Sequence, residues 1–235
     1  MEYNDYDRDI IKIYNQPFRA VKIPNAELPE KRSTNAETIR KILEVIPTTE
    51  REELAHDVIL LVLYMVGINT VDLYSLNKAT YKNDYLCYNR KKTSKERKDK
   101  AYIEIRIAEE IKPLFKKYKS KKKLFNFSER YSDPDNFSTA VNNGLKSLCS
   151  KVNDEIKEKN KKLKKKEEFI PKITVYWLRH TWATIAQNKC GASTELVAFC
   201  LNHISAHKVT EGYIEKDFTP IDKLNEKVIK ELLGK

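Results

Sequence analysis

The stretch TVYWLRHTWATIAQN, residues 174–188, carries Val175, Leu178, Trp182 and Ile185 at intervals of three and four, the spacing of a buried helix face. Arg179 falls inside that apolar pattern, beside His180. An unpaired buried charge costs several kcal/mol or more, so a guanidinium placed there asks for a partner. Downstream, LNHISAHKVTEGYI supplies His203 and Tyr213; upstream, YNRKKT supplies Arg90, Lys91 and Lys92. Fixed Arg and Lys donors can stabilise the charge that spreads over oxygens in a phosphoryl transition state. Arg offers a planar fork for two oxygens, and Lys a transferable proton. A tyrosine, with a pKa near 10, attacks at neutral pH only in a cationic setting that favours its phenolate. Taken singly, each residue has an ordinary explanation: a lone histidine is commonly satisfied in the core or at the surface, and the chain has 13 tyrosines.

The elements that must position these groups are mostly helical. Thr34 with Glu37 and Thr49 with Glu52 each match a capping box, and the second helix runs through LAHDVILLVLYMV to stop at Gly67. Tyr85 to Arg90 and Tyr102 to Ile107 alternate and are rich in β-formers, which predicts a hairpin whose loop, RKKTSKERKDK, is strongly basic. Further helices are expected over 108–119, about 136–165, the opening stretch, 193–201, around 207–213 and 220–233. The expected class is mainly α with a small antiparallel β-sheet, an α+β fold without internal repeats.

Composition narrows the partners. The chain has 235 residues, with 45 basic and 34 acidic side chains and a net charge of +11, which makes a polyanion the first partner to consider and nucleic acid the leading one. The longest apolar run, Val58 to Val66, falls well short of the roughly 20 residues that span a bilayer. No signal-peptide pattern opens the chain, and the four cysteines lack metal-binding or disulfide spacing, so a cytoplasmic setting without membrane attachment is expected.

In order along the chain stand R-K-K-T, Y-x-x-R-H-T-W-A-T, L-N-H and T-E-x-Y-I. This ordered set resembles the catalytic domain of the tyrosine recombinases, or phage integrases. Similarity is greatest to the Bacteroidetes-type integrases of phages and mobile elements, whose linker N-P-F-x-x-x-K-I-P is similar to NQPFRAVKIP here. The likeness spans roughly residues 15–225. It implies that residues 1–32 are the end of a missing core-binding domain and its linker, that 33–235 form the catalytic domain, and that 218–235 is a C-terminal segment exchanged with a neighbouring protomer.

The resemblance also implies roles. Tyr213 matches the nucleophile, which would attack a DNA phosphodiester and leave a 3′-phosphotyrosyl link and a free 5′-hydroxyl. Arg179 matches the second catalytic arginine, His203 the histidine of L-G-H with Asn202 in place of the glycine, and Tyr176 the first position of H-x-x-R. Lys92 matches the general acid toward the leaving 5′-oxygen. The expected partners are double-stranded DNA attachment sites, bound by a homotetramer that is monomeric when free. No cofactor, metal or ATP is implied, consistent with a sequence lacking a P-loop or a carboxylate cluster for Mg²⁺.

The chain departs from the family in two places. GINTVD puts Asn69 where an arginine is usual, while Asp72 keeps the acidic position; Arg90 is the expected substitute. The interval from His203 to Tyr213 is also one residue longer than usual. The alternatives are a catalytically impaired DNA-binding homologue, motivated by Asn69, and a type IB topoisomerase-like enzyme. Lys91, Lys95, Arg97 and Lys98 on the basic loop are expected to run along the DNA backbone, giving salt-dependent affinity without base readout. His180 reads as a structural residue bonded into the core.

Overall fold

Helix α1 (Ala36–Glu44) begins at Asn35, whose side-chain oxygen accepts the Thr38 N–H at 2.8 Å. This corrects the expected capping box at Thr34 by one residue, because the Thr34 N–H instead donates to Thr181 Oγ1 at 3.0 Å. The second expected cap is half realised. Thr49 Oγ1 accepts the Glu52 N–H at the start of α2 (Glu50–Tyr64), but the Glu52 carboxylate turns to the Thr48 N–H, the Ser147 hydroxyl and the Lys151 ammonium. The computed structural model describes residues 32–95, 97–203 and 216–234.

Helix α2 is buried on almost every side, from Leu54 to Tyr64, and forms the centre of the core. Its main partner is α6 (Pro134–Asn160). The two backbones meet at Gly144, where an added Cβ would lie 2.2 Å from the Arg51 carbonyl oxygen and 2.7 Å from Ala55 Cβ. Only a missing side chain permits that approach. After α2 the chain turns through Val66 (φ +57°) and Gly67 (φ +64°) into the short α3 (Thr70–Ser75).

Strands β1 (Tyr81–Lys82), β2 (Tyr85–Asn89) and β3 (Tyr102–Arg106) form an antiparallel sheet in that order. The expected hairpin is β2–β3, with Leu86 opposite Ile105 and Tyr88 opposite Ile103 facing the core. Strand β1 was not expected; Asn83 and Asp84, both at positive φ, turn it onto β2. The expected helix over 108–119 is a 3₁₀ turn (Glu109–Ile111) followed by α4 (Lys112–Lys117), and an unforeseen α5 (Phe127–Arg130) comes next. Helix α6 starts earlier than expected, at the Asp133 cap and Pro134. It ends at Asn160, whose side-chain amide bonds both the N–H and C=O of Glu167 and reverses the lysine-rich stretch.

Helices α7 (Val175–Asn188), α8 (Thr194–Cys200) and α9 (Thr219–Leu233) complete the described residues. Ile221, Leu224, Val228 and Leu232 bury α9 against its own chain, with contacts to α1, α2, α7, α8 and β3. At the junction the Asn225 side chain accepts from Trp182 Nε1 at 2.9 Å and donates to the Tyr64 carbonyl at 2.7 Å. The expected exchange segment 218–235 is therefore packed in cis through residue 234. The chain is mainly helical with a small antiparallel sheet. Among the described residues no helix is long and apolar enough to cross a membrane. The expected tail and linker up to residue 31 and the helix around 207–213 lie outside the described residues.

Candidate functional site

Within α7, Val175, Leu178, Trp182 and Ile185 bury the apolar face, and the same geometry carries Arg179 inward, one turn after Val175. Its partners are two backbone carbonyls. Nη1 donates to the Gly67 oxygen at 2.7 Å, beyond the C-terminus of α2, and Nη2 to the Leu201 oxygen at 2.5 Å, at the C-terminus of α8. The Leu201 oxygen belongs to the C-terminus of α8, where unsatisfied carbonyls carry partial negative charge, and the Gly67 oxygen to the turn that follows α2. Burial, then the neighbouring Arg90 charge, lowers the Arg179 pKa to about 10, which leaves it protonated at neutral pH. Gly67 is required here twice over: its φ is +64°, and a Cβ would stand 3.0 Å from Arg179 Cα and Cγ.

Arg90 follows β2 and is nearly as buried as Arg179, at 8 % and 7 % exposure. Its Nη1 reaches the Leu201 and Asn202 carbonyls at 3.4 and 3.3 Å, while its buried Nε has no hydrogen-bond partner among the described residues. Asp72 on α3 offsets both guanidiniums and fastens α3 to the hairpin by accepting the Lys91 N–H at 2.8 Å. Burial nonetheless raises its pKa. Two permanent cations and one buried carboxylate leave a positive surplus beneath the surface.

Asn202 sits at φ +51°, in the left-handed region that asparagine tolerates better than most side chains, so it can stand where the resemblance places a glycine. Its Nδ2 donates to the Ala101 carbonyl at 2.6 Å and its Oδ1 accepts from Arg97 at 2.8 Å, tying the β2–β3 loop to the end of α8. Arg97 is thus turned inward, and its guanidinium also grips Asp99 and the Asn202 and His203 carbonyls. This corrects its expected place among the outward DNA contacts. Lys91, Lys92, Lys95 and Lys98 are exposed on the same loop.

A cleft of about 490 Å³ opens above the pair of arginines, lined among others by Asn69, Asp72, Arg90, Lys92, Tyr176 and Arg179. His203 lies at the surface beside it. Displaced water first, and then the positive charges of Arg179, Arg90, His180 and Lys92, push its pKa down to about 4. The ring is therefore neutral at pH 7. Tyr176 is 48 % exposed at the first turn of α7, its ring 4.7 Å edge-on from that of His180. His180 is only half-buried, and among the described residues no hydrogen bond fixes it in the core as expected; burial, then Arg179, lowers its pKa.

Of the residues expected to do chemistry, Arg90, Lys92, Tyr176 and Arg179 share the cleft, and His203 adjoins it. Tyr213 lies outside the described residues. Sequence reading missed the carbonyls of Gly67 and Leu201, which no side-chain pattern reveals. It also missed Asp99, although R-x-D in the loop offered a pair that could neutralise itself. Such a set of fixed cationic donors around a neutral imidazole can bind an anion and stabilise charge developing on its oxygens. Compared with family models, curated proteins and solved structures, the chain matches none.

Proposed function

We propose that the chain is a site-specific DNA recombinase of the tyrosine class, cutting and rejoining DNA through a 3′-phosphotyrosyl intermediate at Tyr213. The observation that carries this reading is the convergence of Arg90 and Arg179, from separate elements, on one carbonyl at the floor of a cleft edged by Lys92. In this reading the two guanidiniums would hold the non-bridging oxygens of a phosphodiester. The Tyr213 oxygen would attack phosphorus as the bond to the 5′-oxygen breaks, and Lys92 would give that oxygen its proton. The bond energy is kept in the phosphotyrosine, so strand rejoining needs no ATP. His203, neutral at pH 7, would donate one hydrogen bond to the phosphate without adding a fixed charge. Cationic surroundings would favour the phenolate.

Arg90 takes the part that Asn69 cannot. Both line the cleft, and Arg90 brings the buried charge. The resemblance further supports action on two double-stranded attachment sites by a tetramer assembled on DNA. A second reading, a DNA-binding homologue without chemistry, is favoured by the uncharged Asn69 alone.

The two are separated by incubating the full chain with a pool of nicked duplexes of randomised sequence and resolving the mixture on a denaturing gel. A covalent adduct that disappears in Tyr213→Phe supports the recombinase. Retained duplex binding with no adduct supports the silent homologue.

A further inference from the structure

The end of β3, the 3₁₀ turn after it and α9 line another pocket, of about 350 Å³, which shares no residue with the cleft. Its walls are of two kinds. Ile107, Ala108 and Ile229 are apolar, whereas Asp222 and Glu226 bring two carboxylates one turn apart on α9. Like charges at that spacing repel, and among the described residues neither carboxylate makes a salt bridge. One Asp222 oxygen accepts the Arg106 N–H at 2.9 Å, which leaves the other for a further donor. Burial raises the Asp222 pKa; Arg106 opposes this, and the Glu226 and Glu104 charges add to it. Lys112 is spent on Asp84 and Glu109, at 2.8 and 2.6 Å, and the cations Arg106 and Lys230 are exposed to water.

Tyr64, the last residue of α2, lines the same pocket. The residue is only 3 % exposed, yet its hydroxyl has no hydrogen-bond partner among the described residues. Burial, then the charge of Glu110 on the pocket wall, pushes its phenol up to about 12, so a neutral hydroxyl is present at pH 7. A buried hydroxyl normally finds a partner inside the protein.

We infer that this pocket is a binding site for an alkyl cation, a molecule or side chain with an aliphatic stem and an ammonium or guanidinium head. The stem lies along Ile107, Ala108 and Ile229, as the stems of long cationic side chains do on apolar surface. The head meets the Asp222 and Glu226 carboxylates through charge-assisted hydrogen bonds, and the Tyr64 oxygen accepts another. The volume is at the lower end of the roughly 300–1,000 Å³ that small ligands occupy. A metal ion fits less well, because among the described residues no group of three or more His, Cys, Asp or Glu side chains could hold one. The head belongs either to a free amine or guanidine or to a lysine or arginine of a partner protein.

The test titrates agmatine, putrescine and the peptide acetyl-Ala-Arg-Ala-amide into the full chain at constant ionic strength, following the amide resonances of Ile107, Asn225 and Ile229. Tetramethylammonium, which has charge but no N–H donor, is the control. At least one probe should give saturable shifts at these positions while the control gives none. Affinity should fall about tenfold in Glu226→Gln and about threefold in Tyr64→Phe, and stay unchanged in Glu50→Gln, which alters an exposed carboxylate elsewhere. Tighter binding of the peptide than of agmatine or putrescine would assign the head to a protein side chain, and the reverse to a free amine or guanidine. Shifts that never saturate, an equal response to tetramethylammonium, or wild-type affinity in Glu226→Gln or Tyr64→Phe would overturn the site. The readout is independent of strand cleavage.

Discussion

Arg90 and Arg179 share one acceptor, the carbonyl oxygen of Leu201, at 3.4 and 2.5 Å. Two buried guanidiniums side by side repel, and the cost is met by backbone carbonyls and by Asp72 rather than by a full complement of carboxylates. The arrangement is poised for an anion, because a phosphate entering the cleft would relieve charge that the protein leaves unbalanced. Arg179 accordingly has two tasks, joining the ends of α2 and α8 and facing the cleft.

Replacing Arg179 with alanine removes the partners of the Gly67 and Leu201 carbonyls. Leaving buried acceptors unsatisfied costs about 1–3 kcal/mol, so a urea melt of Arg179→Ala should show a loss of that order together with loss of adduct formation. Arg179→Lys should fold better than alanine yet remain impaired, because an ammonium cannot span both carbonyls. Unchanged stability in Arg179→Ala would remove the joining task.

The turn after α2 is a second lever on the same residue. A methyl group at Gly67 would meet Arg179 at 3.0 Å, on a backbone whose φ of +64° strains any L side chain, so Gly67→Ala should displace the guanidinium. Adduct formation should fall about tenfold, with a stability loss of about 1–2 kcal/mol. Full activity in that variant would show that the guanidinium tolerates movement.

His203 offers a spectroscopic reading of the cleft's charge. Its folded pKa lies near 4 rather than 6.5, so the folded state resists protonation and this contribution to stability is lost as pH falls from about 6.5 toward 4. The imidazole proton resonances should titrate near 4 in the free chain and move upward when duplex DNA is bound, as phosphate offsets Arg179 and Arg90. A midpoint near 6.5 with and without DNA would mean that the cations do not act on this ring.

Acid stability should report on Glu52. Lys151 first, then the Ser147 hydroxyl and the Thr48 N–H, hold its carboxyl at about 2 against an ordinary 4.5. A depressed pKa gives stability that is present above 4.5 and is lost as pH falls toward 2. Glu52→Gln should be less stable at neutral pH and flatten the loss across that window in pH-dependent urea melts. An acid limb as steep as that of the wild type would assign the effect to other carboxylates.

The loop cations divide by direction. Lys95 and Lys98 are exposed, whereas Arg97 is engaged inside the protein. Each phosphate contact adds about 0.9 to the slope of log affinity against log salt, so Lys95→Ala with Lys98→Ala should lower the slope by up to about 1.8. Arg97→Met should leave the slope nearly unchanged while slowing adduct formation. Fluorescence anisotropy across a salt series reads both.

Local pattern made the β2–β3 hairpin, α2 and α7 legible, because alternation and helical spacing both survive into the fold. The short helices α3 and α5 were not, since six and four residues carry too little periodicity to register. Thr34 and Asn35 stand one residue apart as caps; the Asn35 side chain takes the Thr38 N–H, while the Thr34 N–H goes to the distant Thr181 hydroxyl. Arg97 was misplaced for the same reason: its direction is set by Asn202 and His203, far away in sequence. The expected roles of Arg179 and Arg90 came from the ordered motifs, but their shared carbonyl could not be read from side-chain types.

The most direct test is to recover the covalent adduct from nicked duplexes, digest it and identify by mass spectrometry the peptide that carries the nucleotide remnant. The remnant should lie on Tyr213, and no adduct should form in Arg90→Ala or Arg179→Lys at retained duplex binding. A remnant on Tyr176, which is exposed at the cleft, or an undiminished adduct without either arginine, would contradict the proposed chemistry.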